Sequence, residues 1–213
     1  DLLAVTAWAI WKARNLELFE GRVRSGKEVA DFALGLLQDF ISANRVDNRV
    51  GGRKEEGQSP NRWLPPERGK LKLNVDGAVC SAERKVGLGA VMRDFQGKVV
   101  FAMVDTISGL LEVPAVEGMA LLRALEEAAA RGLRDFAIET DSSIVAMGVN
   151  SGDYDSAPFG GVFLAIKKLM QKLGVPLCVH VPRSCNVEAH HFARFSFVVD
   201  AFQVWVENAP PDL

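Results

Sequence analysis

Apolar and polar residues alternate from position 71, with apolar side chains at 71, 73 and 75 and polar ones at 72, 74 and 76. This period of two predicts a β-strand with one buried face, and it turns Asp76 away from the apolar side of that strand. Two further strand-like runs follow at 86–92 and 98–107, and the connection between them contains Gly97. Three consecutive strands with short turns predict an antiparallel meander.

The apolar spacing then becomes helical. Pro114 suits the first turn of a helix that runs through Arg131, and Gly132 suits its left-handed C-terminal cap. Glu117 lies in the first turn, on the same face as the apolar positions 121, 124 and 128. The helix therefore carries a carboxylate on a stripe that packs inward, which is costly unless a positive group meets it.

The rest of the chain after this helix contains two strands and three helices. The strands are predicted at 136–141 and 175–181, and the helices at 142–150, 159–173 and from about 186 to 197 or beyond. The element order is β-β-β-α-β-α-α-β-α. It predicts an α/β fold with a five-stranded mixed sheet and helices on its faces, because parallel strands need helical crossovers.

The chain before residue 70 has a different character. Residues 1–43 show helical spacing and predict an N-terminal helical segment of two helices. Residues 44–69 are rich in Arg, Lys, Glu, Gly and Pro, which marks a linker that is either flexible and solvated or in contact with phosphate groups. The predicted principal domain covers 70–200, and 201–213 is predicted as a C-terminal tail.

Composition limits the possible partners. A chain of 213 residues with 48% hydrophobic content can bury an ordinary core. A net charge of −2 excludes a broadly polycationic surface, so a nucleic acid would need a local basic patch or metal ions. The three cysteines lack C-x-x-C spacing, which argues against a disulfide framework or zinc site and favours an intracellular location, nuclear or cytoplasmic alike. No membrane span is expected, and no oligomeric state is indicated.

Three carboxylates suggest a metal-dependent site that cleaves phosphodiesters. Asp76 lies on a predicted strand, Glu117 starts a helix, and Asp141 ends a strand, so all three can enter one pocket. Hydrolysis of a phosphodiester is served by two metal ions about 3.5–4 Å apart, and hard divalent ions take carboxylate oxygens. Singly, each residue has a structural explanation as an exposed strand Asp, a Glu near a helix N-terminus and a helix-capping Asp.

Several blocks of sequence, in order, carry a family resemblance. They are KLNVDGA at 72–78, GLGAVMRD at 87–94, AVEGMAL at 115–121, ETDS at 139–142, VHVPR at 179–183 and NVEAHHFA at 186–193. Together they resemble ribonuclease H, and more closely the plant ribonuclease-H-like family related to the domain of non-LTR retroelement reverse transcriptases. The segment WAIWKARN at 8–15 resembles the part that precedes this domain in the same proteins.

The resemblance implies a ribonuclease-H-like fold and a metal-dependent endonuclease that cuts the RNA strand of RNA–DNA hybrids. Asp76, Glu117 and Asp141 would bind magnesium, or manganese, with Asp76 bridging two ions and water as the nucleophile.

Contacts to the hybrid, by position only, would fall to Asn74, Gly77 and Ser142.

The chain departs from the family at one position. The fourth acidic residue is usually an Asp at the start of the last helix, and here it is His190, which is a poorer ligand for magnesium. We consider three interpretations of His190: a tolerated substitute in a weakened catalytic site, the mark of a decayed site, or a helix residue exposed near the pocket. The alternative to an enzyme is therefore a weak or inactive ribonuclease-H-like module that binds nucleic acid or another partner.

Overall fold

The structure is a computed structural model that describes residues 62–109, 111–151, 154 and 156–207, with isolated positions between 10 and 30. The strands and helices given below lie in the unit Ser59–Leu213. The predicted helices of 1–43 lie outside the described residues, apart from those isolated positions, and so does the predicted linker up to residue 61.

Six strands form one mixed sheet. They are β1 (Lys72–Cys80), β2 (Lys85–Arg93), β3 (Val99–Ser108), β4 (Ala137–Thr140), β5 (Cys178–His180) and β6 (Gln203–Val206). Their order across the sheet is β5-β4-β1-β2-β3-β6. β1, β2, β3 and β6 pair antiparallel, whereas β1, β4 and β5 pair parallel. The predicted meander and the mixed α/β class are confirmed.

The sheet has one strand more than predicted. β6 lies within the segment 201–213, which the sequence predicted as a tail, and it pairs with β3 from Phe101 opposite Val206 to Val104 opposite Gln203. Trp205 also packs near the rings of Phe192 and Phe195, with centroid distances of 6.3 and 6.2 Å. The strand forms because these contacts add apolar burial to the backbone pairing.

Strand β5 is shorter than predicted. It spans three residues instead of the seven at 175–181, and it is flanked by Pro176 and Pro182. Proline has no backbone N–H to donate to a sheet, so it limits the length of pairing on either side.

Among the described residues of this unit, four α-helices accompany the sheet. They are α1 (Val113–Ala130), α2 (Ser143–Ser151), α3 (Gly160–Leu173) and α4 (Val187–Val199), and a 3₁₀ turn, Arg183–Cys185, precedes α4. Helix α1 begins with a proline in its first turn, as predicted, and α3 ends at Gly174 in the left-handed conformation. Within the described part of the chain, no helix has the length and apolar character needed to cross a membrane.

Helices cover both faces of the sheet. Leu73 and Val75 of β1 belong to the main core with residues of α1 and α3. On the opposite face, α4 contacts β1, β2 and β3, and Phe192 packs with Val91, among others. Because of α4, β1 is buried on both faces and not on one as predicted, so Asp76 is only 3% exposed.

The sheet admits α4 at close range because β2 carries a glycine there. A Cβ on Gly89 would lie 2.1 Å from the backbone nitrogen of Ala193 in α4. Gly89 is also the residue paired with Asp76 across β1 and β2. The closest approach of the helix therefore falls beside the carboxylate that the sequence singled out.

Candidate metal centre

Three separate elements bring the carboxylates together. Asp76 lies within β1, and Asp141 follows the last residue of β4. Glu117 lies just after the first turn of α1 and not within it as predicted, because the helix begins at Val113. Because β1 and β4 are adjacent and parallel, their chains run in the same direction past the same region of the sheet. One oxygen of each of the three side chains lies within 4.8 Å of the others. The structure thus groups the three residues that the sequence predicted as metal ligands.

Burial and mutual repulsion change the acidity of this cluster. Burial, followed by the charges of Asp76 and Asp141, raises the pKa of Glu117 well above its ordinary value. Burial and the charge of Asp141 also raise the pKa of Asp76, against the lowering effect of its hydrogen bonds. Carboxylate oxygens that repel one another in this way form a donor set suited to a hard divalent cation, which would relieve the repulsion.

Gly77 joins two of the carboxylates. Its backbone N–H donates to Oδ1 of Asp76 over 2.9 Å and to Oε2 of Glu117 over 3.0 Å. A Cβ at this position would lie 2.9 Å from Val116 and 3.0 Å from the backbone nitrogen of Glu117. The absence of a side chain therefore lets the start of α1 approach β1 closely enough for this shared hydrogen bond.

Asn186 holds the third carboxylate. Its Nδ2 donates to Oδ1 of Asp141 over 2.7 Å and to the carbonyl oxygen of Val75 over 2.9 Å. The side chain is fully buried, at the residue just before α4. Sequence reasoning did not assign a role to Asn186, although it belongs to the block at 186–193, and its position directly before the last helix was the only available signal.

Asn74 lies beneath the site and not at its surface. Its side chain is fully buried, and Nδ2 donates to Oε2 of Glu139 over 3.1 Å and to Oδ1 of Asn186 over 3.2 Å. Its Oδ1 accepts a hydrogen bond from Nη2 of Arg93. Every polar atom of that side chain has an internal partner, and a contact between Asn74 and a substrate stays a prediction.

His190 contacts the cluster directly. Its Nδ1 lies 2.7 Å from Oδ2 of Asp76, and Nη2 of Arg183 lies 3.0 Å from Nε2 and 3.2 Å from Nδ1 of the ring. An ionised carboxylate can only accept, so we assign a ring hydrogen to Nδ1, which donates it to Asp76. His190 is thus part of the site, and the interpretation as a helix residue merely exposed nearby does not hold.

Ser142 shapes the start of α2. Its hydroxyl oxygen accepts a hydrogen bond of 3.4 Å from the backbone N–H of Val145, and its own N–H donates to Oγ1 of Thr140. Both Ser142 and Gly77 are half-buried beside the carboxylates. Contacts between these two residues and a substrate remain predictions.

Sequence comparison places this site in a known family. A family model described as reverse transcriptase-like matches residues 74–196, more than half of the chain. The chain belongs to the reverse transcriptase-like family. A protein of Arabidopsis thaliana named as a putative ribonuclease H protein is 24% identical over 196 residues, which cover 92% of this chain and 31% of that relative. This reverse transcriptase-like chain therefore spans about a third of the length of the relative.

Solved ribonucleases H share the fold of this reverse transcriptase-like chain. RNase H1 from the archaeon Halobacterium salinarum is 26% identical with a TM-score of 0.50, and the match covers 62% of this chain and 99% of that one. LC11-RNase H1 in complex with an RNA/DNA hybrid is 25% identical with a TM-score of 0.52, and the match covers 59% of this chain and 94% of that one. The N-terminal ribonuclease H domain of a Mycobacterium tuberculosis protein has the same fold, with a TM-score of 0.55 and 20% identity. That match covers 62% of this chain and 95% of the other. The predicted ribonuclease-H-like fold is confirmed.

Proposed function

We propose that the protein is a divalent-cation-dependent endonuclease that hydrolyses the RNA strand of RNA–DNA hybrids. The observation that carries this proposal is the convergence of Asp76, Glu117 and Asp141, whose oxygens come within 4.8 Å of one another from three different elements. The names of the relatives support the same class of reaction, and one of the similar structures holds an RNA/DNA hybrid.

The donor set of three carboxylates fits magnesium or manganese, with Asp76, Glu117 and Asp141 as the residues that would hold it. When bound, such cations supply positive charge to a phosphodiester and activate water, and the family resemblance implies two of them during hydrolysis.

The protein's own groups set the geometry. The Gly77 N–H fixes Asp76 relative to Glu117, and Asn186 fixes Asp141. Because these donors are already in place, little reorganisation is needed when a substrate arrives.

The hybrid would meet the half-buried rim of this cluster. Ser142 and the backbone at Gly77 lie there, and the exposed Arg183 contacts the ring of His190. Small polar groups and backbone atoms suit contacts with 2′-hydroxyls in the wide minor groove of a hybrid, while an arginine suits a phosphate.

One observation favours a second candidate. The hydrogen bond between His190 and Asp76 engages an oxygen that a metal ligand would otherwise offer, at the position where the family usually has a fourth carboxylate. A module of this fold that binds nucleic acid with weak or no cleavage would be compatible with that contact.

Cleavage of a labelled RNA–DNA hybrid in magnesium and in manganese separates the two candidates. The parent chain is compared with Asp76→Asn and with the matched control Asp200→Asn, whose side chain is 54% exposed at the end of α4. We expect metal-dependent cutting of the RNA strand in the parent and the control, and none in Asp76→Asn. Binding of the hybrid without cutting in either metal would contradict the enzyme and support the second candidate.

A further inference from the structure

Both oxygens of Asp76 are already engaged inside the protein. Oδ1 accepts a hydrogen bond of 2.9 Å from the Gly77 N–H, and Oδ2 is 2.7 Å from Nδ1 of His190. A carboxylate that bridges two cations presents one oxygen to each of them. The imidazole therefore takes one of the acceptor directions of Oδ2 and stands in the space beside that oxygen.

Arg183 stabilises His190 in that position. Its Nη2 lies 3.0 Å from Nε2 and 3.2 Å from Nδ1 of the ring. The guanidinium therefore brings a positive charge into contact with the ring of His190. A second divalent cation approaching Oδ2 of Asp76 would have to displace the imidazole and would be repelled by this charge.

The charge balance of the site also favours a single divalent cation. The three carboxylates carry three negative charges when ionised, and Arg183 contributes one positive charge. A single divalent cation neutralises the remainder, whereas a second one would leave an excess of positive charge in a largely buried site.

We infer that the free protein holds one divalent cation, among Asp76, Glu117 and Asp141, and that the His190–Arg183 pair fills the position of a second. This inference deepens the proposed function and rests on its metal site. A second cation can enter only after His190 leaves Asp76, so the histidine controls the number of ions in the site.

The test is the number of manganese ions bound per chain in the absence of nucleic acid, measured by isothermal titration calorimetry. Electron paramagnetic resonance supplies a second readout, because two ions about 3.5–4 Å apart couple their spins. The parent is compared with His190→Asp and with the control His191→Asp, which adds the same charge at the neighbouring exposed position. We expect one ion in the parent and in the control, and two coupled ions in His190→Asp.

The outcomes separate this inference from the proposed function. Two ions in the parent would overturn the inference and leave the metal-dependent nuclease standing, whereas no bound ion would overturn both. One ion in a folded His190→Asp chain would show that His190 does not occupy the second position.

Arg183→Gln tests the inference without changing a residue in contact with Asp76. We expect the parent's single ion to bind several-fold more tightly, since a nearby positive charge is removed. The matched control is Arg194→Gln on the exposed side of α4, which should bind as the parent does. Equal affinity in Arg183→Gln and the parent would overturn the role assigned to Arg183.

Discussion

Replacing Gly89 by alanine should have two effects: it should move α4 away from the sheet, and it should disturb the metal centre. The added Cβ would lie 2.1 Å from the backbone nitrogen of Ala193 and 2.7 Å from the carbonyl oxygen of Ala189, where ordinary contact begins at 3.4 Å. The difference between 3.4 and 2.1 Å requires α4 to move by about 1.3 Å. Both obstructing atoms belong to the helix backbone, so no change of side-chain rotamer can relieve the contact.

The expected loss of stability is large for one methyl group. Overpacking of a core costs about 1–3 kcal/mol, and we expect the upper part of that range because backbone must move. Alanine also lowers the conformational entropy of the unfolded chain relative to glycine, and this offsets about 0.4–1 kcal/mol of the overpacking cost. The net decrease in the free energy of unfolding should therefore be about 2 kcal/mol, or roughly 4–8 °C in Tm for a chain of this size.

The same movement reaches the site, because His190 follows Ala189 in the helix. A shift of about 1.3 Å would lengthen the 2.7 Å contact between Nδ1 of His190 and Oδ2 of Asp76 to about 4.0 Å, beyond hydrogen-bonding distance. We therefore expect altered manganese binding in Gly89→Ala in addition to the loss of stability.

The assay is urea unfolding of the parent, of Gly89→Ala and of the control Gly161→Ala, with calorimetric titration of manganese into each. A Cβ on Gly161 in α3 would meet nothing within 4 Å, so this control should be unchanged or up to about 1 kcal/mol more stable. Equal stability of the two alanine variants would refute the close approach of α4 to β2.

Two further predictions concern the carboxylates and their support. In a chelator, Glu117→Gln should be more stable than the parent at neutral pH, because burial and the charges of Asp76 and Asp141 raise the pKa of Glu117. A carboxyl whose pKa is raised in the folded state destabilises the fold when it ionises as the pH rises. The Tm of the parent should therefore fall more steeply with increasing pH than the Tm of the variant. Saturating magnesium or manganese, at a hundred times Kd, should stabilise the parent by about 2.7 kcal/mol and the variant by less. Thermal unfolding measured as a function of pH and of metal concentration checks both expectations. A variant that is less stable than the parent in chelator would contradict the reasoning. Asn186→Ala leaves buried partners unsatisfied and should cost about 1–3 kcal/mol while also weakening cation binding, since Asp141 loses its donor. Asn150→Ala, which removes a similar pair of hydrogen bonds to Cys178, should lower stability in urea but leave the cation affinity measured by calorimetry unchanged; equal weakening in both variants would argue against a specific role for Asn186.

The sequence predicted the elements with a clear period and missed those that depend on distant contacts. Strands β1, β2 and β3 and helix α1 were found because their apolar spacing is local information. β6 has only four residues and gains its stability from β3 and from aromatic packing on α4. The preceding chain reversal at Asp200 uses the left-handed conformation without a glycine, so no local signal marked the end of α4.

The same division holds for the metal centre. The carboxylates Asp76, Glu117 and Asp141 were predictable, because each combines a defined position on an element with a known chemical role. Among their partners, Asn186 was missed, because it bonds to Asp141 across 45 positions of sequence. His190 was singled out only through the family resemblance, and its bond to Asp76 spans 114 positions. The burial of Asn74 was missed for the same reason, since β1 alone does not reveal that α4 covers its polar face.

The two outer strands have a consequence for association between molecules. Unpaired strand edges can recruit strands from other chains, which is a common route to aggregation. Among the described strands, one edge is β5, with three residues between Pro176 and Pro182, and the other is β6, with four residues. Each offers few free backbone groups in a row, so the long and apolar central strands are kept away from neighbouring molecules. The protein should accordingly tolerate high concentration better than its Val-rich central sheet alone would suggest.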